Sequence, residues 1–228
     1  MKKSPTDNAI STTKKTDWEL QGLKGKVKEH AVIVYDIKNK AGKNIKEIAV
    51  KAVFKYDKKG NRTEGAYSDA DGVLMKKYIA RYDGKCNQIE GAWYNADGSL
   101  YRKDVFKYDG NQIERANYNA DGALLNRTIY KYDARGKQIE GILCNIDGSL
   151  KVKGVYKYDA SEKLLEIEHY NADGSANSKI NFMNDIKKSR EKDEMGNPIE
   201  EARYDEKGNL IRISTSSYTY YANEGITK

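Results

Sequence analysis

Apolar and polar side chains alternate along most of this chain, in segments of about eight to ten residues. In residues 99–108, for example, Leu100, Phe106 and Tyr108 fall on one face because their positions share parity. Alternation with a period of two is typical of a β-strand that is covered on one side. Short turn sequences separate the segments, so consecutive strands should run antiparallel.

The number of such segments predicts the shape of the fold. We count about 13 or 14 strands, and at roughly 4.8 Å per strand a flat sheet of this size would be over ~60 Å wide. Open sheets this large curl or coil. We therefore expect an all-β fold in which tandem antiparallel β-hairpin repeats form a curled or superhelical, elongated sheet.

The segments belong to a repeating unit of about 26 residues, which is most visible at a Tyr-Asp pair. The tyrosine of this pair falls at positions 56, 82, 108, 132 and 158, with spacings of 26, 26, 24 and 26 residues. The shorter unit has lost two residues at one turn, which reads Asp109-Gly110-Asn111. A loss of two residues keeps the alternation in phase.

Each unit carries two turn signals, Asp-x-x-Gly and Asn-x-Asp-Gly. Both have the chemistry of a type I turn in which the first side chain bonds the following backbone and the fourth residue, glycine, takes positive φ. At the shortened turn we expect a two-residue type I′ hairpin at Asp109-Gly110. The predicted structural turn residues are Asp57, Gly60, Asn95, Gly98, Asn119, Gly122, Asp133, Gly136, Asn145, Gly148, Asn171 and Gly174.

The two ends of the chain are less regular than its middle. Residues 1–16 are polar and rich in Lys, Thr and Ser, which predicts a disordered N-terminal tail. Residues 17–54 form a predicted entry and capping unit, 55–182 the hairpin repeats, and 183–228 an irregular last repeat and cap. We expect each end unit to cover an otherwise open edge of the sheet.

The repeat resembles a known family at its Tyr-Asp and turn positions. The phrase Tyr-Asp-x-x-Gly-Asn-x-Ile-Glu, shortened to Tyr-Asp-Gly-Asn-Gln-Ile-Glu at residues 108–114, is similar to the YD repeats of Rhs-type bacterial surface and toxin proteins. The resemblance covers about residues 53–212 and implies a long, spiralling β-sheet in a bacterial envelope protein. Residues 91–100 also resemble a hairpin unit of cell-wall-binding modules, although the second Trp of that family's ligand cage is missing.

Charge is distributed unevenly. The net charge is +7, of which residues 1–54 carry +6 (12 Lys against 6 acids), so that the remaining 29 basic and 28 acidic residues nearly cancel. The basic N-terminus offers one alternative function, binding to nucleic acid or to an anionic surface. Because the repeat body is close to neutral and shows no recognition module, nucleic acid is not the favoured partner.

The cellular location that we predict depends on whether a signal peptide has been removed. No run of 18 apolar residues occurs, so we expect no transmembrane segment. The basic start, residues 1–5, is not followed by an apolar stretch and is not a signal peptide as written. We expect the cell envelope or periplasm if a signal has been removed, and the cytoplasm otherwise. Cys86 and Cys144 occupy non-equivalent repeat positions, so we expect free thiols, with a disulfide as the alternative.

Patterns for catalysis and metal binding are missing from the sequence. The two histidines, His30 and His169, lie in no motif, and we interpret both as surface strand residues. No Gly-x-Ser-x-Gly, P-loop or Gly-x-Gly-x-x-Gly pattern occurs. Asp69-Ala70-Asp71-Gly72 lacks the other ligands of a calcium loop, and Cys and His are too few for zinc. We therefore predict a non-enzyme without catalytic residues, cofactor or metal.

A glutamate recurs at one repeat position, as Glu64, Glu90, Glu114 and Glu140. A glycosidase uses a carboxylate pair that occurs once. A residue present in every unit is expected to be structural, for instance as the cross-strand partner of a lysine. A glycan-acting hydrolase on a repeat scaffold is the second alternative function.

Tyrosine supplies 18 of the 23 aromatic side chains (18 Tyr, 3 Phe, 2 Trp). Rows of tyrosine can form a packing ladder or an exposed strip for a ligand. Positions that vary between units are better candidates for specificity than the constant frame. The candidate ligand-binding residues on the second strands are Trp93, Tyr94, Asn117, Tyr118, Leu143, His169 and Tyr170. We expect an envelope-associated binding or scaffold protein that recognises a protein or polysaccharide through its sheet face or edge.

Overall fold

The computed structural model describes residues 15–181, 186–205 and 208–222, with the backbone alone at 181 and 186–190. A four-residue helix, α1 (Asp17–Leu20), precedes 15 strands. The strands are β1 (Val27–Lys40), β2 (Lys43–Tyr56), β3 (Arg62–Ser68), β4 (Leu74–Tyr82), β5 (Gln88–Asn95), β6 (Leu100–Asp109), β7 (Asn111–Asn119), β8 (Leu124–Tyr132), β9 (Gln138–Cys144), β10 (Leu150–Tyr158), β11 (Leu164–Asn171), β12 (Ala176–Asn181), β13 (Ile186–Lys192), β14 (Pro198–Tyr204) and β15 (Leu210–Tyr220).

All of these strands belong to one antiparallel sheet. Its order is β12-β11-β10-β9-β8-β7-β6-β5-β4-β3-β2-β1-β15-β14-β13. The chain thus starts at β1 and adds one strand after another out to β12. Its last three strands then lie on the other side of β1. The structure confirms an all-β antiparallel fold, with 15 strands among the described residues instead of 13 or 14. True repetition of the units and a superhelical course stay predictions.

Only one edge of the sheet lies in a predicted end unit, since the edge strand β13 belongs to residues 183–228. β1 is an interior strand, because it pairs with β2 on one side and with β15 on the other. The prediction that residues 17–54 cover an edge is therefore wrong. The edge strands are β12 and β13, and only residues 182–185 separate them in the sequence. The predicted boundary at residue 54 falls inside β2.

The predicted turns form. In six of them the fourth-position glycine donates its N–H to the carbonyl oxygen of the first residue at 2.9–3.2 Å. The φ of these glycines lies between +78° and +92°, where a Cβ would be strained. The confirmed turns run from Asp57 to Gly60, Asn95 to Gly98, Asn119 to Gly122, Asp133 to Gly136, Asn145 to Gly148, and Asn171 to Gly174.

The side chain that bonds the following backbone is not always the first one. Asp57 behaves as predicted, since its Oδ1 accepts the N–H of Lys59 and of Asn61 at 2.9 Å each. In the turn that begins at Asn95, the third residue takes this role, and Asp97 Oδ1 accepts the Ser99 N–H at 2.9 Å. Asp147 and Asp173 do the same in their turns. In these three turns the residue after the glycine is serine, and its hydroxyl donates to the same carboxylate oxygen at 2.6 Å. In the turn that begins at Asn119, where alanine follows the glycine, Asn119 Oδ1 accepts the Ala123 N–H at 2.8 Å.

The shortened turn is not the type I′ hairpin that we predicted. Asp109 lies opposite Asn111, which places Gly110 alone at the apex with φ +70°. A type I′ turn needs positive φ at two consecutive residues. That condition is met instead at Ala41 and Gly42, with φ of 51° and 77°, between β1 and β2.

The sheet has two chemically different faces. Strand register places Phe54, Gly65, Tyr78 and Trp93 opposite one another in succession, and we call the face they share the Tyr face. The other side, the Lys/Glu face, carries the recurring glutamates. The accessible surface is 15600 Å², against about 10,500 Å² for a compact protein of this mass. This excess is typical of a single-layer sheet that is not covered by a second layer.

The recurring glutamates are cross-strand partners of basic residues, as predicted. Register pairs Glu64 with Lys55 and Glu140 with Lys131. The corresponding N···O distances are 3.5 and 2.8 Å, and Lys153 reaches Glu140 from the other neighbouring strand at 2.6 Å. These pairs are partly exposed to solvent, so each contributes at most about 1 kcal/mol.

The tyrosine of the Tyr-Asp pair binds one hairpin to the previous one. Its hydroxyl donates to the carbonyl oxygen of the residue 20 positions earlier, at the start of the neighbouring strand. This bond is 2.9 Å long in three Tyr-Asp units: Tyr82 to Arg62, Tyr108 to Gln88, and Tyr158 to Gln138. Tyr218, which is followed by Thr219 and not by aspartate, makes the same bond to Pro198. Burial raises the pKa of Tyr108 to about 12, so the hydroxyl remains a donor at neutral pH. Tyr132, which follows the shortened turn, makes no bond of this kind within the described part of the chain.

This difference between Tyr108 and Tyr132 predicts different effects of the same substitution. Tyr108→Phe should lower the free energy of unfolding by about 1 kcal/mol, because a half-buried carbonyl loses its donor. Tyr132→Phe is the matched control and should cost under about 0.5 kcal/mol. Urea unfolding followed by circular dichroism measures both. Equal losses in the two variants would contradict the role assigned to the hydroxyl.

The segment before β1 packs on one end of the Tyr face, although residues 15 and 16 were assigned to the disordered tail. Thr16 caps α1, with its backbone N–H donating to Glu19 Oε2 at 2.7 Å. Asp17 Oδ2 lies 2.8 Å from the Tyr82 hydroxyl oxygen and shares that hydroxyl's one proton with the Arg62 carbonyl oxygen. Trp18 Nε1 donates to the Val27 carbonyl oxygen at 2.9 Å. The tail prediction is thus wrong for residues 15–16, and residues 1–14 lie outside the described residues. No helix in the described ranges is long and apolar enough to cross a membrane.

Candidate functional site

The predicted ligand-binding residues divide between the two faces. Trp93 and Tyr94 are neighbours in β5 and therefore point to opposite sides of the sheet. Trp93, Asn117, Leu143 and His169 lie on the Tyr face. Tyr94, Tyr118 and Tyr170 lie on the Lys/Glu face. The predicted set is therefore not one site, and only its first group can share a surface.

Aromatic rings form a continuous row across six strands of the Tyr face. We define the aromatic row as Tyr218, His30, Phe54, Tyr67, Tyr78 and Trp93. Ring centroids are 4.5 Å apart for Tyr218 and His30, 5.9 Å for His30 and Phe54, and 5.7 Å for Phe54 and Tyr67. Trp93 completes the row, 5.6 Å from Tyr67 and 4.8 Å from Tyr78. Distances of this size are typical of attractive ring contacts.

Glycines opposite the rings make room for this row. A Cβ on Gly91 would lie 2.5 Å from the Tyr78 hydroxyl oxygen, and one on Gly65 would lie 3.3 Å from the Phe54 ring. The repeat therefore uses a small residue where two rings must pass over the backbone. Tyr78 is buried as a result, while Trp93 stays partly exposed.

His30 is a member of the row and not the surface strand residue that we predicted. Its Nε2 lies 3.0 Å from Ser216 Oγ, and its ring stacks on Tyr218. Burial lowers the pKa of His30 from 6.5 to about 4, although the negative charge of Glu201 acts in the opposite direction. The ring is therefore neutral at pH 7. His169, by contrast, makes an exposed contact with Ser178 Oγ at 3.1 Å.

A buried carboxylate lies beside the Trp93 end of the row. The Asp104 side chain is only 4% exposed, and its Oδ2 accepts from Arg115 Nη2 at 2.8 Å. Arg102 Nε lies 3.5 Å from Asp104 Oδ1. Register places Arg102 opposite Trp93 and Asn117 opposite Asp104. We call Arg102, Asp104, Arg115 and Asn117 the Asp104 cluster, and the structure joins it directly to the aromatic row.

Two of the four Tyr-face candidates thus belong to one surface. Trp93 and Asn117 meet through Arg102 and Asp104. Leu143 lies opposite Thr128, which in turn lies opposite Arg115, so Leu143 shares a row with the cluster but is two strands away from it. His169 lies opposite Gly154, in a different row. The register moves by two residues from one hairpin to the next because each pairing contains an irregularity, so equivalent repeat positions do not line up across the sheet.

The arginine and aspartate of this cluster were missed from the sequence, although two signals were present. Asp104 has the parity of Leu100, Phe106 and Tyr108, so it is a charged residue on an apolar face. Arg115 follows the recurring glutamate, where three other units have glycine, namely Gly65, Gly91 and Gly141. Among the five units with a Tyr-Asp pair, only this one has a charged residue at both positions.

Cavities border the sheet away from the Trp93 end of the aromatic row. One of about 520 Å³ lies near the start of β1, among residues that include Lys26, Asp193, Met195, Tyr218 and Tyr220. Another, of about 390 Å³, is lined in part by the candidate Tyr170 and by the turn residues Asn171 and Gly174. Within the described ranges, no group of three or more His, Cys, Asp or Glu side chains could hold a metal ion. Cys86 and Cys144 are free thiols, as predicted.

Comparison with known proteins does not identify the chain. No family model and no curated protein matches it. Among solved structures it is similar to a porin-like protein from Bacteroides uniformis, with 10% identity, a TM-score of 0.48, and coverage of 85% of this chain and 98% of that one. It is also similar to TcdB2-TccC3-Cdc42, with 13% identity, a TM-score of 0.33, and coverage of 78% and 12%. A DUF1329 family protein from Desulfovibrio piger has 10% identity and a TM-score of 0.28, over 87% of this chain and 88% of that chain.

Likenesses at these scores carry no argument about function. The aromatic row and the Asp104 cluster are therefore interpreted from their own chemistry.

Proposed function

We propose that this chain is a non-enzymatic binding or scaffold protein of the cell envelope that recognises a glycan through the Trp93 end of the Tyr face. The observation that carries the proposal is the contact between the aromatic row and the Asp104 cluster. A partly exposed indole provides an apolar platform, and a small number of fixed polar groups border it. Binding sites for small ligands typically combine an apolar wall with a few such groups.

A sugar ring suits this arrangement. The axial C–H bonds of a pyranose give it an apolar side, which packs on an aromatic ring, while its hydroxyl groups need donors and acceptors at the edge. Trp93 supplies the platform, and Arg102 and Asn117 supply polar groups in adjacent rows. A protein ligand bound along an edge strand is the alternative within the same function, since β12 and β13 expose unpaired backbone.

We infer that the sheet is rolled, with the Tyr face inside. A flat sheet of this order would hold its edge strands about 67 Å apart. β12 ends at Asn181 and β13 begins at Ile186, and five Cα–Cα steps span at most about 19 Å. The two edges must therefore come close to each other. Long charged side chains favour the convex side, where they spread into solvent, so the Tyr face would line the concave side.

The recurring tyrosine bond supports a true repeat. Three tyrosines of the Tyr-Asp motif, and Tyr218 outside it, make the same bond across the same number of residues, which is expected if each hairpin docks on its predecessor in one way. We propose on this basis that the chain is related to YD-repeat proteins. An envelope or periplasmic location is part of the same proposal, as is the absence of catalysis, which the structural role of the recurring glutamates supports.

Adjacent residues on opposite faces provide a matched test. Purified protein would be titrated by calorimetry with envelope polysaccharide fragments, and Trp93→Ala would be compared with Tyr94→Ala. Trp93→Ala should weaken binding at least about tenfold, because an aromatic anchor in an interface is worth about 2 kcal/mol. Tyr94→Ala should leave the affinity within about twofold.

Three outcomes would overturn the proposal. Binding that is lost equally in both variants would place the ligand outside the Trp93 surface. Enrichment of envelope proteins but not polysaccharides in a pull-down would favour a protein partner at a sheet edge. Release of reducing sugar that is abolished by substitution of a single glutamate to glutamine would indicate a hydrolase.

A further inference from the structure

Three arginines surround the Trp93 end of the aromatic row. Arg102 and Arg115 contact Asp104, and Arg62 lies over two rings, with its Cζ 5.3 Å from the Phe54 centroid and 5.7 Å from that of Tyr78. Two carboxylates lie near them. Asp17 accepts the Arg62 backbone N–H at 2.7 Å, where β3 begins. Asp104 lies between the other two arginines.

The charge that this surface presents to a ligand is positive. The Asp104 side chain is 4% exposed, whereas those of Arg102 and Arg115 are 37% and 34% exposed. The carboxylate therefore lies below the two guanidinium groups and holds them, and its own charge is covered. Each guanidinium has five N–H donors in a planar fork, and a single aspartate cannot use the donors of two such groups.

Two of these guanidinium groups, those of Arg62 and Arg115, lie over aromatic rings. The Arg115 guanidinium lies 5.9 Å from the Phe106 centroid, and the Arg62 guanidinium is held over Phe54 and Tyr78. A guanidinium that is held over an aromatic face loses little further freedom when it binds an anion. Planar forks in fixed positions match the two oxygens of a carboxylate.

We propose that the ligand of the Trp93 surface is an acidic glycan, one whose sugar rings carry carboxylate groups. This inference rests on the proposed function and names the class of its ligand. The sugar packs on Trp93, and its carboxylate binds the exposed sides of Arg102 and Arg115. Asp104 is a positioning residue, because it holds the two arginines and is too deeply buried to reach the ligand.

Confinement of the charge favours a glycan over a nucleic acid. A single strand of nucleic acid needs a cationic track along its backbone as well as rings for stacking. In β9–β11 the Tyr face carries uncharged residues in place of the arginines. They include Gly141, Leu143, Gly154, Tyr156 and His169. The positive surface is thus a patch of a few residues and not a groove.

The test compares two trisaccharides of one stereochemistry, trigalacturonate and its neutral galactose counterpart, by calorimetry at low salt. The wild-type protein should bind the acidic trimer at least about tenfold more tightly, since a charge-assisted hydrogen bond contributes about 1.5–3 kcal/mol. Arg102→Gln should abolish that preference. Arg81→Gln, on the Lys/Glu face, is the matched control and should keep the preference.

Each other outcome has a definite meaning. Equal affinity for the two trimers overturns the acidic ligand and leaves glycan binding intact. Failure of both trimers, and of the envelope polysaccharide fragments, overturns both proposals. Tighter binding of a phosphorylated trimer, or of an oligonucleotide, overturns the carboxylate assignment. If Arg102→Gln melts below the assay temperature, a salt titration of the wild-type protein tests the acidic ligand instead. Affinity for the acidic trimer should fall as salt rises from 50 to 500 mM (about a threefold change in Debye length), while affinity for the neutral trimer should not change.

Discussion

Replacing Asp104 with asparagine should lower the free energy of unfolding by about 2–3 kcal/mol. The carboxylate is buried between Arg115 and Arg102, at N···O distances of 2.8 and 3.5 Å. Its loss leaves two guanidinium groups facing each other without a counterion. Breaking a buried ion pair costs about 3–5 kcal/mol, and we reduce this figure because both arginines are about one-third exposed and water screens them.

Glu64→Gln is the matched control for this substitution. Glu64 also lies between two cations, Lys55 at 3.5 Å and Lys77 at 3.3 Å, but its side chain is 36% exposed. Its loss should cost at most about 1 kcal/mol. Urea unfolding monitored by circular dichroism gives both values. Adding Arg115→Met to Asp104→Asn should recover part of the loss, because it removes one uncompensated charge. Equal losses for Asp104→Asn and Glu64→Gln would show that burial does not distinguish the two sites.

Acid should destabilise the protein before its carboxylates titrate. Burial holds the pKa of His30 at about 4, whereas the same side chain in the unfolded chain has a pKa of 6.5. Between these values the unfolded state binds a proton that the folded state does not, so stability falls as the pH drops below 6.5. The loss should reach about 3 kcal/mol near pH 4, at 1.36 kcal/mol for each unit of difference.

The window from pH 6.5 to 5 isolates this effect. Paired carboxylates such as Glu47, whose pKa is lowered to about 2 by Lys38 and Lys40, stabilise the folded state above about pH 4.5 and lose that contribution only in stronger acid. Urea midpoints at pH 7, 6 and 5 measure the slope. His30→Phe keeps a ring against Tyr218 and should remove most of the slope, while His169→Gln should keep it. A wild-type midpoint that does not change over this range would contradict a neutral, buried His30.

Local sequence accounts for the strands, the turns and the chemistry of the two faces. Alternation with a period of two assigns each side chain to one side of the sheet, because successive Cβ atoms point to opposite faces. Aspartate, asparagine and glycine at fixed offsets determine where each strand ends, since these residues form turns from their own backbone and side-chain bonds. The ion pair between Glu64 and Lys55 could also be predicted, because the two residues flank one short turn.

Contacts between distant parts of the chain could not be read from this pattern. β1 pairs with β15, so Val27 lies opposite Tyr220, and no local signal distinguishes this partner from any other alternating segment. Backbone hydrogen bonds are the same for every pair of strands, so the choice depends on the whole order of the sheet. Both end units were assigned to edges, and the C-terminal unit does supply the edge strand β13, but β1 of the N-terminal unit pairs with the last strand.

The candidate site depended on register. Parity places Trp93 and Asn117 on one face of the sheet. The seven predicted residues nevertheless included members of both faces, because neighbours such as Trp93 and Tyr94 were predicted as one set. Only strand register brought Arg102 opposite Trp93 and Asp104 opposite Asn117. Irregularities beside the turns, such as those at Arg81/Tyr82 and Trp93/Tyr94, shift that register by two residues from one hairpin to the next. The repeat therefore defines the frame of this protein, while the tertiary pairing decides which of its varying residues meet.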